Sequence, residues 1–552
     1  MAIKQKISDG AGGPKKSIAK MFFSGVVALT FSNIIVKAIG LFFKIPLIHY
    51  LGELGMGYFN AAYTIYTWFY MISTAGLPVA ISILVSEARA KGNYRQVKRI
   101  FRISETLFFA IGLLGMVIMA AGSGLFSALM KSPDSAWCIV AIAPTLFFIC
   151  ISSSIRGYFQ GFQNMIPTAV SQVIEAAGKL LIGIFMAKWA LDMGYELHIA
   201  AAFSIAGLTV GVAAGMFFLV ISKLLFKESA YGLDRNSELE PETRKSVLAR
   251  LVKIAVPIMV SSSVMSLTNM IDLMIVLRRL QDIGFAREVA VAMYGNYTTL
   301  AVPLYNLPPV LIYPIAYSIV PMLSAAKEER EKKKTERIVA STLRVAVMIA
   351  LPCALGLSAM SRGILDLLFH GLDSSVSMAA PLLSILALSC FFVCVLAVTN
   401  SILQANGYER KPIISMLTGA AVKLASSYIL IGIPEVGMYG TPISTFICYA
   451  AVCAMNFYFI AKHVCPLPSP QKLFVKPLAA SAVCVACALL CSFFAPLLIG
   501  STRISTLLSI FIAALIYVAA IFLFGAIKKE DVAVLPKSEK IYRILNKLKL
   551  MK

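Results

Sequence analysis

Residues 32–63 read SNIIVKAIGLFFKIPLIHYLGELGMGYFNAAY. This stretch predicts a membrane-spanning helix, a short turn and the start of a second spanning helix, and the first helix carries Lys37 and Lys44 among apolar residues. A lysine at bilayer depth costs at least about 2.5 kcal/mol to insert, so it normally faces a protein interior or an aqueous cavity. Asn33 lies four residues before Lys37, and Lys44 seven residues after it, which places all three on one helical face. We therefore expect a polar stripe that faces inward.

The whole chain is apolar, with 59% hydrophobic residues, 14% charged residues and a mean hydropathy of +0.82. Apolar runs of about 20 residues or longer recur along it, and each is long enough to cross a hydrocarbon core about 30 Å thick. The composition and these runs predict an all-α polytopic membrane protein with about 14 transmembrane helices. The first run is longer than a signal-peptide core and lacks a small-residue cleavage site, so we expect it to be a helix of the mature protein.

The formal net charge is +23, and the positions of the basic residues decide what this charge means. They cluster in 89–102, 223–253, 327–344 and 528–552, between or after the apolar runs. Basic residues are enriched in cytoplasmic loops, so this distribution predicts that both termini are cytoplasmic and that the charge contacts anionic lipid rather than nucleic acid. The last segment has apolar residues at helical spacing, and we expect it to lie on the inner membrane surface.

The chain's 11 cysteines and four histidines show neither a metal-ligand spacing nor a disulfide framework. The sequence also contains no P-loop, nucleophile elbow or GxGxxG turn. We therefore expect a protein that is not an enzyme and that holds no metal and no cofactor.

An internal repeat relates the two halves of the chain. At an offset of 236 residues, PVAISI at 78–83 matches PIAYSI at 314–319, and at an offset of 244 residues Lys179 matches Lys423. Each half holds an even number of spans, so the repeats are parallel, an arrangement in which transporters place their substrate between the halves. The predicted organisation is a basic cytoplasmic tail (1–19), an N-lobe of six helices (20–224), a cytoplasmic linker (225–248), a C-lobe of six helices (249–461), two further helices (472–527) and a basic amphipathic cytoplasmic tail (528–552).

Glycine and proline interrupt the two repeats at equivalent points. Gly76 and Pro78 lie in the second span, and the eighth span contains four prolines, Pro303, Pro308, Pro309 and Pro314. Proline removes an amide donor and clashes with the preceding turn, so helices bend or break there. Gly76, Pro78 and Pro314 are candidate hinges, and static packing kinks are the alternative.

Lysines at membrane depth outnumber the carboxylates there. The lysines are Lys37, Lys44, Lys179 and Lys423, and the carboxylates are Glu175 and Asp272. Glu175 precedes Lys179 by one helical turn, so these two residues are expected to pair as a strut. Asp272 is expected to approach Lys37 and Lys44, and snorkelling to an interface is the alternative for Lys44.

A cavity richer in lysine than in carboxylate attracts anions, of which phosphate and pyrophosphate are the leading candidates. A cation exporter is expected to show the opposite sign of charge. Six further side chains are candidate hydrogen-bonding partners for a phosphate or a sugar: Asn33, Asn60, Asn269, Asn296, Tyr58 and Tyr294.

Four segments resemble a known superfamily. They are Lys37-x6-Lys44 followed by LGELGMGYFNAAYTIY, the GLPVAISILVSEARAKGN segment, RGYFQGFQNMIPTAVSQVIE at 156–175, and ILQANGYERKP at 402–412. Across essentially the whole chain the sequence resembles the multidrug/oligosaccharidyl-lipid/polysaccharide (MOP) exporter superfamily, specifically its branch of stage V sporulation protein B-like proteins and lipid II flippases. Lys37 and Lys44 stand roughly where those flippases keep two cationic residues, whereas the arginines that they usually carry on helices 2 and 8 are missing here.

The resemblance implies a MATE-like fold of two six-helix lobes plus two helices. It implies a cationic central cavity lined by helices 1, 2, 7 and 8, and alternating access that flips an undecaprenyl-pyrophosphate-linked saccharide. It also implies an apolar groove near helices 13 and 14 for the lipid tail.

The predicted function is therefore a flippase of the bacterial plasma membrane, with the peptidoglycan precursor lipid II as the first candidate substrate. The expected partners are the lipid-linked saccharide, membrane lipids and cell-wall synthesis proteins. Three alternatives stay open: a multidrug or cation antiporter of the same fold, a flippase for another lipid-linked polysaccharide unit, and a non-transporting membrane scaffold.

Overall fold

The computed structural model describes residues 13–226, 239–328, 331–526 and Asp531. Every regular element in these ranges is a helix. A lipid environment explains this, because a spanning segment must satisfy its own backbone hydrogen bonds. The predicted amphipathic tail at 528–552, apart from Asp531, lies outside the described residues.

The first compact unit comprises residues up to Met270. Its helices are α1 (Gly13–Thr74), α2 (Leu77–Ala90), α3 (Tyr94–Ala121), α4 (Ser123–Leu129), α5 (Ser135–Gly161), α6 (Ile166–Asp192), α7 (Leu197–Leu224) and the first part of α8 (Arg244–Asp282). Two helices meet within α1 at Gly52, whose φ of 61° and ψ of −173° are not helical. Glycine adopts this conformation without the strain that a Cβ atom would bring.

The second compact unit begins at Ile271, inside α8. Its further helices are α9 (Arg287–Asn296), α10 (Val302–Tyr305), α11 (Pro308–Glu328), α12 (Lys332–Ala359), α13 (Ser361–Leu368), α14 (Asp373–Ala405), α15 (Arg410–Ile431), α16 (Gly440–His463), α17 (Lys476–Ile499) and α18 (Thr502–Leu523). A π-helical turn, Tyr297–Ala301, joins α9 to α10. The two compact units divide within α8, whereas the sequence predicts a boundary at the linker, residues 225–248. The lobe boundaries expected from the repeat therefore stay a prediction.

Among the described residues, 11 helices are long and apolar enough to span a membrane, or up to 13 if each of two bent pairs counts as one span. One of the 11 is the 60-residue stretch Phe31–Ala90. A single crossing takes about 20 residues, so this stretch, broken at Gly52, has the length of two crossings. The prediction of an all-α polytopic membrane protein with about 14 spans is confirmed.

Glycines allow α6 and α7 to pack with their backbones in contact. A Cβ atom at Gly178 would lie 2.4 Å from the Cα atom of Gly211, and a Cβ atom at Gly207 would lie 2.4 Å from the Cα atom of Gly183. Small residues at helix interfaces are a common means of association in membranes, where apolar burial gives little driving force. This contact fixes α6 against α7 in the first unit.

Buried polar contacts hold the helices of the second unit. Asn456 on α16 donates to the hydroxyl of Thr399 at 3.1 Å and to the amide oxygen of Asn400 at 2.7 Å, both on α14. Arg344 on α12 binds both carboxylate oxygens of Asp531, at 2.9 and 3.0 Å. Asp531 is 1% exposed, so the chain beyond α18 is anchored to α12 at this point.

The helical breaks of the two repeats differ in position. In the first repeat, α1 ends at Thr74 and α2 begins at Leu77, so the break includes Gly76. In the second repeat the helix bends by 42° between Tyr305 and Pro308. The bend falls at Pro308, one of the four prolines of this span, whereas Pro314, the candidate hinge, lies inside the continuous helix α11.

Candidate functional site

A cavity of about 400 Å³ lies inside the first unit, between α1, α5, α6 and α7. Three tyrosines on one face of α1 form much of its wall, namely Tyr63, Tyr66 and Tyr70. Their spacing of three and four residues puts them on the same side of a helix. Asn33, from the polar stripe of α1, contributes to the same wall. The cavity therefore contains several polar groups although the helices around it are apolar.

Arg156 and Glu175 form a buried ion pair in this cavity. The guanidinium of Arg156 donates to one carboxylate oxygen of Glu175 and, through two nitrogens, to the hydroxyl of Ser171 at 3.0 and 3.1 Å. Arg156 is only 7% exposed. The expected strut between Glu175 and Lys179 is wrong, because the carboxylate is engaged by an arginine from another helix.

Lys179 reaches the cavity without a counter-ion from the described residues. Its ammonium nitrogen lies 4.8 Å from the ring centre of Tyr63, 4.9 Å from that of Phe43 and 5.8 Å from that of Phe59. Among the described residues, neither a hydrogen-bond acceptor nor a carboxylate lies within bonding distance of this nitrogen. Lys44 is near enough for the two lysine charges to interact, which adds positive potential here.

The lysine that matches Lys179 in the second repeat has a different environment. Lys423 forms an ion pair with Asp272 at 3.1 Å. The hydroxyl of Ser427 donates to the other oxygen of Asp272 at 2.6 Å and lies 2.8 Å from the hydroxyl of Ser444. All four residues are buried, so this is a closed, internally neutralised cluster. The expectation that Asp272 serves Lys37 and Lys44 is wrong, because Lys423 and Ser427 occupy its carboxylate.

The other predicted binding residues differ in their exposure. Lys37 and Asn269 are exposed on α1 and α8, and Lys44 is half-buried. Tyr58, Asn60, Tyr294 and Asn296 are buried. Tyr58 donates to Asp134 at 3.3 Å, and Asn296 donates to the carbonyl oxygen of Ser375 at 3.0 Å. The cavity of the first unit thus brings together Asn33 and Lys179, but neither Tyr58 nor Asn60 is part of its wall.

Sequence reasoning missed Arg156 and the three tyrosines as cavity residues. The basic residues predicted at membrane depth are all lysines, so Arg156 is not among them. Its position inside an apolar run, two residues after a serine triplet at 152–154, was the available signal. The tyrosines carry no charge, and only their common helical face distinguishes them from ordinary packing residues.

The second unit contains a cavity of opposite character. It has a volume of about 350 Å³ and lies between α10, α11, α12, α13, α17 and α18. Apolar side chains and small residues form its wall, among them Leu304, Pro308, Gly356, Cys484, Ala488 and Ala513. An apolar cavity at this place fits a hydrocarbon chain.

The described helices define a polytopic membrane protein that carries charged side chains within its spans. The family model for polysaccharide biosynthesis proteins matches residues 22–327, which is more than half of the chain, so the chain belongs to that family. The superfamily resemblance seen in the sequence is confirmed.

Individual relatives agree with this family. The chain is 25% identical to stage V sporulation protein B of Bacillus subtilis (strain 168) over 93% of this chain and 98% of that protein. It is 23% identical to the lipid II flippase MurJ of the same organism, over 80% of this chain and 82% of the relative.

Solved structures share the fold. A lipid II flippase MurJ in an inward closed conformation matches with a TM-score of 0.68 at 16% identity, covering 90% of this chain and 98% of that one. An inward-facing multidrug resistance MATE family transporter of the MOP superfamily matches with a TM-score of 0.62 at 14% identity. The match covers 80% of this chain and 98% of that one.

Proposed function

We propose that this protein flips an undecaprenyl-pyrophosphate-linked saccharide from the inner to the outer leaflet of a bacterial plasma membrane by alternating access. The peptidoglycan precursor lipid II is the first candidate substrate, since one relative is by name a lipid II flippase. Both termini are cytoplasmic in this proposal, as the distribution of basic residues predicts.

The observation that carries the proposal is the charge balance of the buried groups. Glu175 is neutralised by Arg156, and Asp272 is neutralised by Lys423. Lys179 has no such partner among the described residues, so the cavity of the first unit has surplus positive charge. A charge in the low-dielectric surroundings of packed helices attracts an anion more strongly than a fully solvated one.

The same balance argues against a multidrug or cation antiporter. Such a protein needs a carboxylate that is available to a cation or proton, and the carboxylates predicted at membrane depth, Glu175 and Asp272, already hold basic side chains. The apolar cavity of the second unit supports an amphiphilic substrate, because a prenyl chain needs an apolar surface that a small hydrophilic ion does not.

Lys37 and Lys44 are proposed to contact the substrate pyrophosphate, and Gly76, Pro78 and Pro314 are proposed to lie in moving segments. Lys37 is exposed and, within the described chain, makes no ion pair, which suits a residue that meets a ligand. We expect Lys37→Ala and Lys44→Ala each to abolish transport without loss of the inserted protein.

Depletion in the native cell tests the proposal. An undecaprenyl-linked precursor should accumulate on the inner leaflet, and its saccharide identifies the substrate. Complementation by Lys37→Ala measures the role of the charge, with Lys188→Ala, an exposed lysine on α6, as the matched control. If no lipid-linked precursor accumulates, and the purified protein binds tetraphenylphosphonium but not the lipid, a cation transporter is the correct assignment.

A further inference from the structure

The first part of α8 lies between two interruptions of regular helix. The helix bends by 42° between Met259 and Ser262, so Arg244–Met259 is a helical segment of its own, which we call the α8 rod. Residues 239–242, which we call the linker strap, lead into this rod and are not helical. Backbone changes confined to the two interruptions would let the rod move as one piece.

The linker strap is fixed to the start of α3. The side-chain amide of Asn93 donates to the carbonyl oxygen of Glu240 at 3.2 Å, and Gln96 accepts a hydrogen bond from the backbone amide of Glu242 at 2.8 Å. Arg99 donates to two carbonyl oxygens of the strap, at 3.3 and 2.6 Å. Asn93 and Gln96 are buried. These four hydrogen bonds hold one end of the α8 rod against α3.

Arg250 joins the α8 rod to α2. Its guanidinium binds the carboxylate of Glu87 on α2 and, at 2.8 Å, the carboxylate of Glu242 in the strap. The three side chains are 36–45% exposed, so each ion pair changes a population by a factor of only about two to five. They also contribute to the wall of a cavity of about 440 Å³, which is large enough for water. The bond between Arg250 and Glu87 is therefore one that ordinary thermal motion can break.

The α8 rod meets α2 a second time, at the break that precedes α2. A Cβ atom at Gly76 would lie 2.2 Å from the carbonyl oxygen of Ala255, so the two backbones are in contact there. Ala255 is fully buried. A glycine presents no side chain that interlocks with the rod, so separation at this point costs dispersion contacts but breaks no ion pair.

These contacts assign Arg250 a conformational role. We propose that Arg250 is a latch, which holds the α8 rod on α2 through Glu87 and releases it while the strap, with Glu242, keeps one end of the rod on α3. Release moves the rod away from Gly76, which lies six residues after Tyr70 of the 400 Å³ cavity wall, and opens this side of the first unit. That the opening admits a substrate rests on the proposed function, whereas the latch itself does not.

A thiol introduced by Ala255→Cys reports the separation. The purified full chain with this substitution is treated with N-ethylmaleimide at an ionic strength of about 0.01 M, and labelling of the introduced thiol is followed by mass spectrometry. We expect Arg250→Gln and Glu87→Gln each to accelerate this labelling by about fivefold, the upper end for an exposed ion pair, because the guanidinium belongs to a network of two carboxylates.

Salt separates charge from packing in the same assay. At about 1 M sodium chloride the Debye length falls to about 3 Å, so exposed ion pairs are screened. High salt should accelerate labelling by about fivefold when Arg250 is present and should have no further effect in Arg250→Gln. Acceleration by salt that is equal in both proteins would contradict an electrostatic latch.

Two substitutions at the same surface are matched controls. Glu242→Gln keeps the bond between Arg250 and Glu87, and Arg99→Gln removes hydrogen bonds of the strap but keeps both ion pairs. Each should leave labelling within about twofold of the rate in Ala255→Cys alone. Cys138 on α5 is fully buried in the same unit, so its labelling identifies general unfolding and should stay equally slow in every variant.

Labelling that is unchanged in both Arg250→Gln and Glu87→Gln would overturn the latch, as would equal acceleration by Arg99→Gln or an equal rise at Cys138. These results leave the flippase proposal intact if lipid-linked precursor still accumulates on depletion. Conversely, a latch that opens as expected while no precursor accumulates contradicts the proposed function and retains the latch. The two proposals therefore fail by different measurements.

Discussion

Replacing Lys423 by methionine would leave the carboxylate of Asp272 buried without its counter-ion. Asp272 is 7% exposed, and the ammonium group of Lys423 lies 3.1 Å from it. Methionine keeps most of the side-chain volume, so the loss is that of a charge rather than of packing. The ion pair joins α8 to α15, and its removal should loosen this part of the second unit.

The expected size follows from the surroundings of the carboxylate. Removal of one partner from a buried ion pair destabilises by about 3–5 kcal/mol. The hydroxyl of Ser427 still donates to Asp272 at 2.6 Å, so we expect the lower end of this range. Because about 1.4 kcal/mol corresponds to a factor of ten, local opening should become roughly 100-fold more populated.

Cysteine alkylation measures this opening directly. Cys448 on α16 is 2% exposed and lies close to the charge pair, whereas Cys138 on α5 is fully buried in the first unit. Detergent-solubilised protein is treated with N-ethylmaleimide, and modification of each peptide is followed by mass spectrometry. Lys423→Met should accelerate labelling of Cys448 by roughly 100-fold and leave Cys138 unchanged.

The double variant Asp272→Asn with Lys423→Met removes the stranded charge, and its Cys448 labelling should return to within about tenfold of the unmodified rate. If Lys423→Met labels Cys448 no faster than the unmodified protein does, the pair is not a stabilising element of the second unit. If the double variant is as labile as the single one, packing rather than charge is responsible.

Three further changes have defined outcomes. Arg156→Met strands the carboxylate of Glu175 and should destabilise the first unit by about 3–5 kcal/mol, measured by thermal unfolding. Gly76→Ala should abolish transport in the complementation assay, because the new Cβ atom would lie 2.2 Å from the carbonyl oxygen of Ala255. Gly356→Leu should fill the apolar cavity, where no atom lies within 4 Å of the new Cβ, and should weaken binding of long-chain lipid but not of inorganic pyrophosphate.

Each of these changes has a matched control. Arg156→Met combined with Glu175→Gln should recover most of the lost stability, since no charge is then stranded. Gly124→Ala places its Cβ in open space and should transport normally. Gly356→Ala removes little volume from the cavity, so long-chain lipid binding that is equally weak in Gly356→Ala and Gly356→Leu would contradict the cavity-filling explanation.

The sequence alone determined the class of this protein. Spans of about 20 apolar residues are long enough to decide the fold class by themselves, because only helices satisfy their backbone hydrogen bonds within a single segment. The repeat also needed no structure, since identical residues at a constant offset identify it. The face shared by Asn33 and Lys37 follows from helical spacing alone.

Only the tertiary structure decided which charges are neutralised. Glu175 pairs with Arg156, 19 residues away on another helix, rather than with Lys179 one turn away. Asp272 pairs with Lys423 on α15. Helical spacing predicts neighbours within one helix, whereas these pairs depend on which helices pack together and on their rotation about their axes. Within the described part of the chain, the lack of a counter-ion at Lys179 follows from those interhelical pairings and from no local pattern.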